Sequence, residues 1–406
     1  MRILYVHQYF CTRRGRTGTR SLEQARAMRS AGHEVVMMTS PVQLLDEAMP
    51  AGRGRIRRGR LEGLDLVVLN VPYSQQMSYA RRVGSFLRFM LAACWVVLTE
   101  PRIDLVYATS TPLTVGIPAL AAKLLRGVPY FFEVRDLWPD IPVALGIVRS
   151  RWLSAALKAV ERLIYAHARL IVAVNAGVAR AVGRSSRWRR PIIVVPNACD
   201  TDLFDPSRDG STFRRAHGLA GKVLCVHTGA MGPVNGLDAV LDLAAATRGD
   251  ERLRYVLIGE GNQKERLQRR VADERLDNVL ILDSVPKDEL ADVLATADIG
   301  LMTVAPIPIL ELNCANKFFD YLASGLPVVL NYGGWQAEVL AEHGCGLSAP
   351  QGDQAAFNAA VLRLAGDEAL RRRMAANARA LAETALNRRT VVRPLLEELA
   401  RLGSAH

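Results

Sequence analysis

The chain has 406 residues, half of them hydrophobic and 6% aromatic; that is more than one hydrophobic core accommodates, and it predicts two domains of parallel strands covered by helices. Its six cysteines (Cys11, Cys94, Cys199, Cys225, Cys314, Cys345) lie far apart with no CxxC pair, so they fit reduced thiols better than a disulfide framework or a metal site. The net charge of +12 is uneven: residues 1–190 hold 29 Lys and Arg against 12 Asp and Glu (+17), the remainder 23 against 28 (−5). The N-terminal half is therefore expected to meet an anionic partner, and without a helix-turn-helix, RNA-recognition or zinc-finger pattern that partner is not nucleic acid.

The opening run, residues 1–6, is too short an apolar run for a signal peptide and reads as a first strand, with the strand pattern at 3–7. Strand patterns follow at 34–39, 64–70, 105–108, 130–134, 170–175 and 192–195, separated by helical patterns at 21–30, 81–98 and 152–168. This alternation predicts a doubly wound parallel sheet. The basic run from Arg53 to Arg60 reads as a solvated loop or an anion-contacting one. No stretch reaches the ~18 consecutive apolar residues of a membrane span. Ten apolar residues, 89–98, follow Arg81, Arg82 and Arg88 and include Trp95; they fit either a core helix or an interfacial one.

A segment rich in Asn, Asp, Pro, Ser and Gly, residues 196–221, marks a boundary. The pattern restarts at 222–227 with a strand, a glycine turn and a helix at 236–246. Strands follow at 254–258, 279–282, 299–303, 327–331 and 346–348, then helices over 368–402 with an interruption near 384–389. The expected domains are 1–196, 197–385, and a terminal helix within 386–406 that returns to the first domain.

Ligands of such sheets bind at the carboxyl ends of the strands, so the residues there are the candidates. After the first strand, Gly15 and Gly18 let backbone N–H groups approach an anion or sugar, in a loop that also carries Arg13, Arg14, Arg16 and Arg20. After the fifth, Glu133, Arg135 and Asp136 cluster beside Trp138, costly to place without a use or an internal ion pair. In the second series, Gly229 and Gly232 open a turn suited to a diphosphate. Glu260 ends a strand, and the loop at Pro286 offers backbone groups to a base edge. The run Asn316-Lys317-Phe318-Phe319-Asp320 reads as a helix capped by Asn316, with Lys317 beside a phosphate-binding helix end and Asp320 placed for a vicinal diol such as ribose. Asp200 and Asp202 form an Asp-x-Asp triplet, read as turn residues rather than a metal site.

Taken together, these segments resemble the retaining, nucleotide-sugar-dependent glycosyltransferases of family 4. The resemblance is carried by residues 316–329, the N-terminal glycine loop, the interdomain run Val195-Pro196-Asn197, and Ile258-Gly259-Glu260-Gly261. Phe131-Phe132-Glu133-Val134-Arg135-Asp136 resembles a subgroup acting in O-antigen and capsule assembly, including amino-deoxysugar transferases. It implies a GT-B fold, two Rossmann-like domains facing each other across a cleft. The implied donor is a UDP-linked N-acetylated or deoxy hexose, and the acceptor a polyprenyl-diphosphate-linked saccharide. Transfer would proceed with retention by front-face attack, with no cofactor and no metal. The implied location is cytoplasmic, peripheral on the anionic inner face of the membrane. Glu133, Arg135 and Asp136 are the implied catalytic candidates, and Arg81, Arg82, Arg88 and Trp95 the acceptor or membrane contacts. The chain departs from the family pattern at Arg135, where many members place a His, at 231–235, which lacks the usual Arg and Lys, and at Leu312, where an acid is expected. A nucleotide-sugar 2-epimerase of the same fold and a non-catalytic saccharide- or lipid-binding relative are the alternatives.

Overall fold

The computed structural model describes residues 1–12, 18–44, 49–51, 54–74, 77–185 and 190–404. Two compact units emerge: Met1–Pro196 with Val391–His406, and Asn197–Thr390.

The first unit is built, in chain order, from β1 (Arg2–Val6), α1 (Arg20–Ser30), β2 (Glu34–Thr39), β3 (Ile56–Leu61), β4 (Leu64–Leu69), α2 (Tyr79–Thr99), β5 (Leu105–Thr109), α3 (Gly116–Arg126), β6 (Tyr130–Val134), α4 (Asp140–Ala144), α5 (Arg151–His167), β7 (Leu170–Ala173), α6 (Ala176–Ser185) and β8 (Ile192–Val194). Its sheet runs β3-β4-β2-β1-β5-β6-β7-β8, parallel except for β3. Strands such as LVYAT and LIVA are buried along their whole length because helices cover both faces. Right-handed crossovers put α2, α3 and α5 on one face and α1 on the other.

The basic run expected to be a loop is corrected in part: residues 56–61 form the antiparallel edge strand β3, while Arg53 lies outside the described residues. The cause is the two-residue turn Glu62-Gly63, with φ of +51° and +79°, whose left-handed pair closes a hairpin between Leu61 and Leu64. Charge then guards the exposed edge, with Arg58 bonded to Glu100 and Arg60 to Asp65.

The second unit comprises α7 (Ser211–Ala216), β9 (Val223–Thr228), α8 (Asp238–Ala246), β10 (Leu253–Ile258), α9 (Lys264–Asp273), β11 (Val279–Leu282), α10 (Lys287–Ala295), β12 (Ile299–Met302), α11 (Asn316–Ala323), β13 (Val328–Leu330), α12 (Trp335–His343), β14 (Gly346–Ser348), α13 (Gln354–Gly366) and α14 (Glu368–Glu383). The sheet is wholly parallel, ordered β11-β10-β9-β12-β13-β14, with an apolar layer on each face. The last helix, α15 (Arg388–Gly403), sets Val392, Leu395, Leu399 and Leu402 into the core of the first unit beside Ile3, Tyr5, Leu22 and Met28.

Candidate functional site

In the second unit the chain leaves β9 toward β10 on one side, and β12 leads toward β13 on the other; the switch point therefore lies at the carboxyl ends of β9 and β12. Three segments converge there. Gly229, just past β9, has φ +114°, a backbone that disfavours any side chain, and a Cβ on it would lie 3.3 Å from Lys317 Cε and 3.5 Å from Nζ. Gly259 is constrained by the same turn, since its Cβ would collide with the Gly229 carbonyl. Lys317 Nζ stands 2.9 Å from Nε2 of His227, the buried penultimate residue of β9. Desolvation pulls the Lys317 amine down to about 7, and no carboxylate among the described residues offsets it. His227 is held well below its ordinary range by burial and then by Lys317. The arrangement is a glycine turn facing an amine that lacks a counter-charge, suited to a diphosphate.

One turn along α11, the buried Asp320 carboxylate accepts from Lys287 Nζ at 3.3 Å. Burial pushes its pKa up, while Lys287 draws it back. Lys287 opens α10, capped by Pro286, so the Pro286 loop and Asp320 lie together. The expected cap is corrected: Ala315 is the N-cap of α11 and Asn316 is its first residue, with no side-chain capping bond. Gly232 has room for a side chain, its nearest neighbour being Asn235 Nδ2 at 3.8 Å. Glu260 is exposed and paired with Lys264 at 2.9 Å. Asp200 accepts from the Leu203 N–H at 3.3 Å and pairs with Arg388, the turn role expected of it. Among the described residues no group of three His, Cys, Asp or Glu could hold a metal ion.

In the first unit, Glu133 sits in an internal ion pair with Arg20. Fully buried, its carboxylate accepts from Arg20 Nε (3.0 Å) and Nη2 (2.7 Å), Gln24 Nε2 (3.0 Å), Tyr107 OH (2.9 Å) and Thr109 Oγ1. Burial alone would raise its pKa, but Arg20 overrides it and sets it at about 2. Such a carboxylate holds no proton to transfer at neutral pH. Arg135 takes a different partner, His7 Nε2 at 3.4 Å from its Nη1, and exposed Asp136 accepts from Thr111 Oγ1 at 2.8 Å. Gly15 lies outside the described residues, and Gly18 precedes the N-cap of α1. Arg81, Arg82, Arg88 and Trp95 all lie on α2, with Trp95 64% exposed.

Sequence reasoning did not select His7, His227 or Lys287, and it read Arg20 as part of the glycine loop, whereas Arg20 opens α1 and bonds Glu133. His7 and His227 had a signal: His7 directly follows β1 and His227 is the penultimate residue of β9, both central strands that lead into a switch-point loop.

The two parallel sheets, each with helices on both faces, define a double Rossmann-type architecture. The description "Glycosyl transferase 4-like domain" matches residues 17–198, and "Glycosyl transferases group 1" matches residues 210–381. The chain belongs to the family 4, GT-B-type glycosyltransferases. It is 26% identical over 254 residues to a GDP-mannose-dependent alpha-mannosyltransferase of Mycobacterium tuberculosis, covering 62% of this chain and 61% of that one. It is 33% identical over 153 residues to the amylovoran biosynthesis glycosyltransferase AmsK of Erwinia amylovora, 37% of each chain. The matches thus span under two thirds of either relative. Anabaena HepE, solved in complex with UDP-glucose, superposes with a TM-score of 0.75 at 19% identity, covering 99% of this chain and 100% of that one, and shares the fold.

Proposed function

We propose that the protein transfers a sugar, an N-acetylated or deoxy hexose, from a UDP donor to a polyprenyl-diphosphate-linked saccharide in cell-surface polysaccharide synthesis of the O-antigen or capsule type, with retention and without a metal. The observation that carries this reading is Lys317, an amine against the Gly229 turn with no carboxylate partner among the described residues. There it would take the charge of the departing diphosphate, the task a metal performs in other sites. Asp320 one turn further in would hold the ribose hydroxyls. The glycosyl C–O bond to phosphate breaks as the acceptor oxygen bonds the same carbon, and the acceptor proton passes to the departing phosphate. Asp136 and Arg135, at the strand ends of the first unit, are the candidates to position the acceptor.

A thermal-shift panel of nucleoside diphosphates tests the donor half, since a ligand at 100 times its Kd stabilises by about 2.7 kcal/mol. UDP is expected to give the largest shift; no shift with any nucleotide sinks the reading. Asp320→Ala is expected to weaken UDP binding by roughly 1.5–3 kcal/mol while the fold persists, measured by calorimetry. Transfer is expected to survive EDTA, with metal-reversible loss counting against the lysine's role. A second nucleotide sugar formed from donor alone would replace transfer by epimerisation.

Support for a peripheral membrane location comes from the α2–α3–α5 layer. Leu91 and Trp95 on α2 are each 64% exposed, Leu125 on α3 70%, and Trp152 on α5 88%. By length and composition α2 could cross a bilayer, yet Phe89, Ala93, Val96 and Val97 are buried in the first unit, so one side of it packs as a surface helix. Exposed Arg81, Arg88, Arg149, Arg151 and Arg162 interleave with the apolar side chains, the composition an anionic leaflet attracts at about 1 kcal/mol per basic residue. The chain is expected to sediment with anionic but not neutral vesicles, to be released by salt, and to lose binding in the double variant Leu91→Glu, Trp95→Glu. Equal recovery in all cases would favour a soluble acceptor.

A further inference from the structure

The switch point of the first sheet lies between β1, which leads to β2 on one side, and β5, which leads to β6 on the other. His7 and Gln8 follow β1, Ser110 and Thr111 follow β5, and Arg135 and Asp136 follow β6, so six polar residues share one edge of three neighbouring strands. Their hydrogen bonds do not close. A guanidinium has no lone pair to offer, so His7 Nε2 must accept from Arg135, and the neutral ring then carries its proton on Nδ1. That ring is 3% exposed and Nδ1 has no partner among the described residues. Burial, with Arg135 adding to it, takes the His7 pKa down to about 3, so the ring is neutral throughout the physiological range. Gln8 is wholly buried, and among the described residues neither its amide oxygen nor its nitrogen finds a partner. No carboxylate pairs with the Arg135 guanidinium among the described residues, since Glu133 is taken by Arg20. Buried polar groups left open weaken a fold, and an edge rich in open donors matches a ligand rich in acceptors.

We propose that His7, Gln8 and Arg135 form a subsite that receives the phosphoryl group of a sugar phosphate, with Gln8 able to meet a neighbouring hydroxyl. The inference rests on the reading of the first unit as saccharide-binding, and adds to it residues outside the Glu133–Arg135–Asp136 cluster. The same chemistry occurs in a nucleotide-sugar donor and in a lipid-diphosphate acceptor.

Full-length protein with 15N-labelled histidine, its His7 signals assigned through His7→Gln, would be titrated with glucose 1-phosphate. Inorganic phosphate and glucose serve as separate arms. The His7 ring nitrogens are expected to shift with the sugar phosphate in the native chain and in Lys317→Ala, and to stay still in Arg135→Gln. Further arms with UDP-glucose and with geranylgeranyl diphosphate identify the donor or the lipid as the source. Signals unmoved at saturating probe, or movement abolished by Lys317→Ala, would overturn the proposal. Gln8→Leu is expected to keep or raise the melting temperature while weakening glucose 1-phosphate at least tenfold. A lower melting temperature with unchanged affinity would show that Gln8 only packs. The readout is binding, so it stands apart from any measurement of transfer.

Discussion

Glu133→Gln is expected to destabilise the first unit by about 3–5 kcal/mol, because it breaks the buried Arg20–Glu133 ion pair from one side. At roughly 2–4 °C per kcal/mol for a unit of this size, calorimetry should show its melting temperature fall by about 6–20 °C. Below that transition, UDP binding should be unchanged, since the carboxylate's partners Arg20, Gln24, Tyr107 and Thr109 belong to the first unit, whereas Gly229, Lys317 and Asp320 belong to the second. Lost activity at an unaltered melting temperature would restore Glu133 to the chemistry. The pH dependence has a fixed sign. A folded pKa of about 2 lies below the unfolded value of roughly 4.3, so the contribution is fully present above the latter and disappears as pH falls from there through 2.

Lys317→Ala is expected to weaken UDP by roughly 1.5–3 kcal/mol, about 10- to 150-fold, since a charge-assisted contact to phosphate is lost. Its proton linkage separates this variant from Asp320→Ala. With the free amine at about 7, a diphosphate that binds only the charged form must draw in a proton above that pH. Affinity should be flat below pH 7 and fall by up to tenfold per unit above it, and calorimetry in buffers of different ionisation enthalpy should count the proton. Removing Lys317 should flatten the profile. A native profile without slope between pH 7 and 9 would mean the amine is already charged in the free protein.

The strands of both units were legible because a parallel strand covered on both faces is a short apolar run bounded by turn residues, as in Val-Leu-Cys-Val-His-Thr and Leu-Ile-Val-Ala. Edge strand β3 was not, because every second position in Ile-Arg-Arg-Gly-Arg-Leu faces solvent and composition cannot separate such a strand from a loop. Lys317 and Asp320 were legible since helix spacing alone puts them one turn apart. The partner of Glu133 was not, because Arg20 lies 113 residues away and only the β1–β5–β6 order brings them together. For residues 89–98 the run showed apolarity but no side. In a helix ten apolar residues point in every direction, and only the packing of Phe89, Ala93, Val96 and Val97 reveals that Leu91 and Trp95 point away.

The return of α15 to the first unit bears on synthesis. A ribosome delivers β1 to β8 before any of the second unit, yet Ile3, Tyr5 and Leu22 wait for Val392, Leu395, Leu399 and Leu402, made after everything between. At about 5–20 residues per second, the early sheet spends tens of seconds with an uncovered apolar trough while the later domain is translated. Nascent chains stalled before residue 390 should therefore recruit chaperones through their first half, even though that half was finished long before.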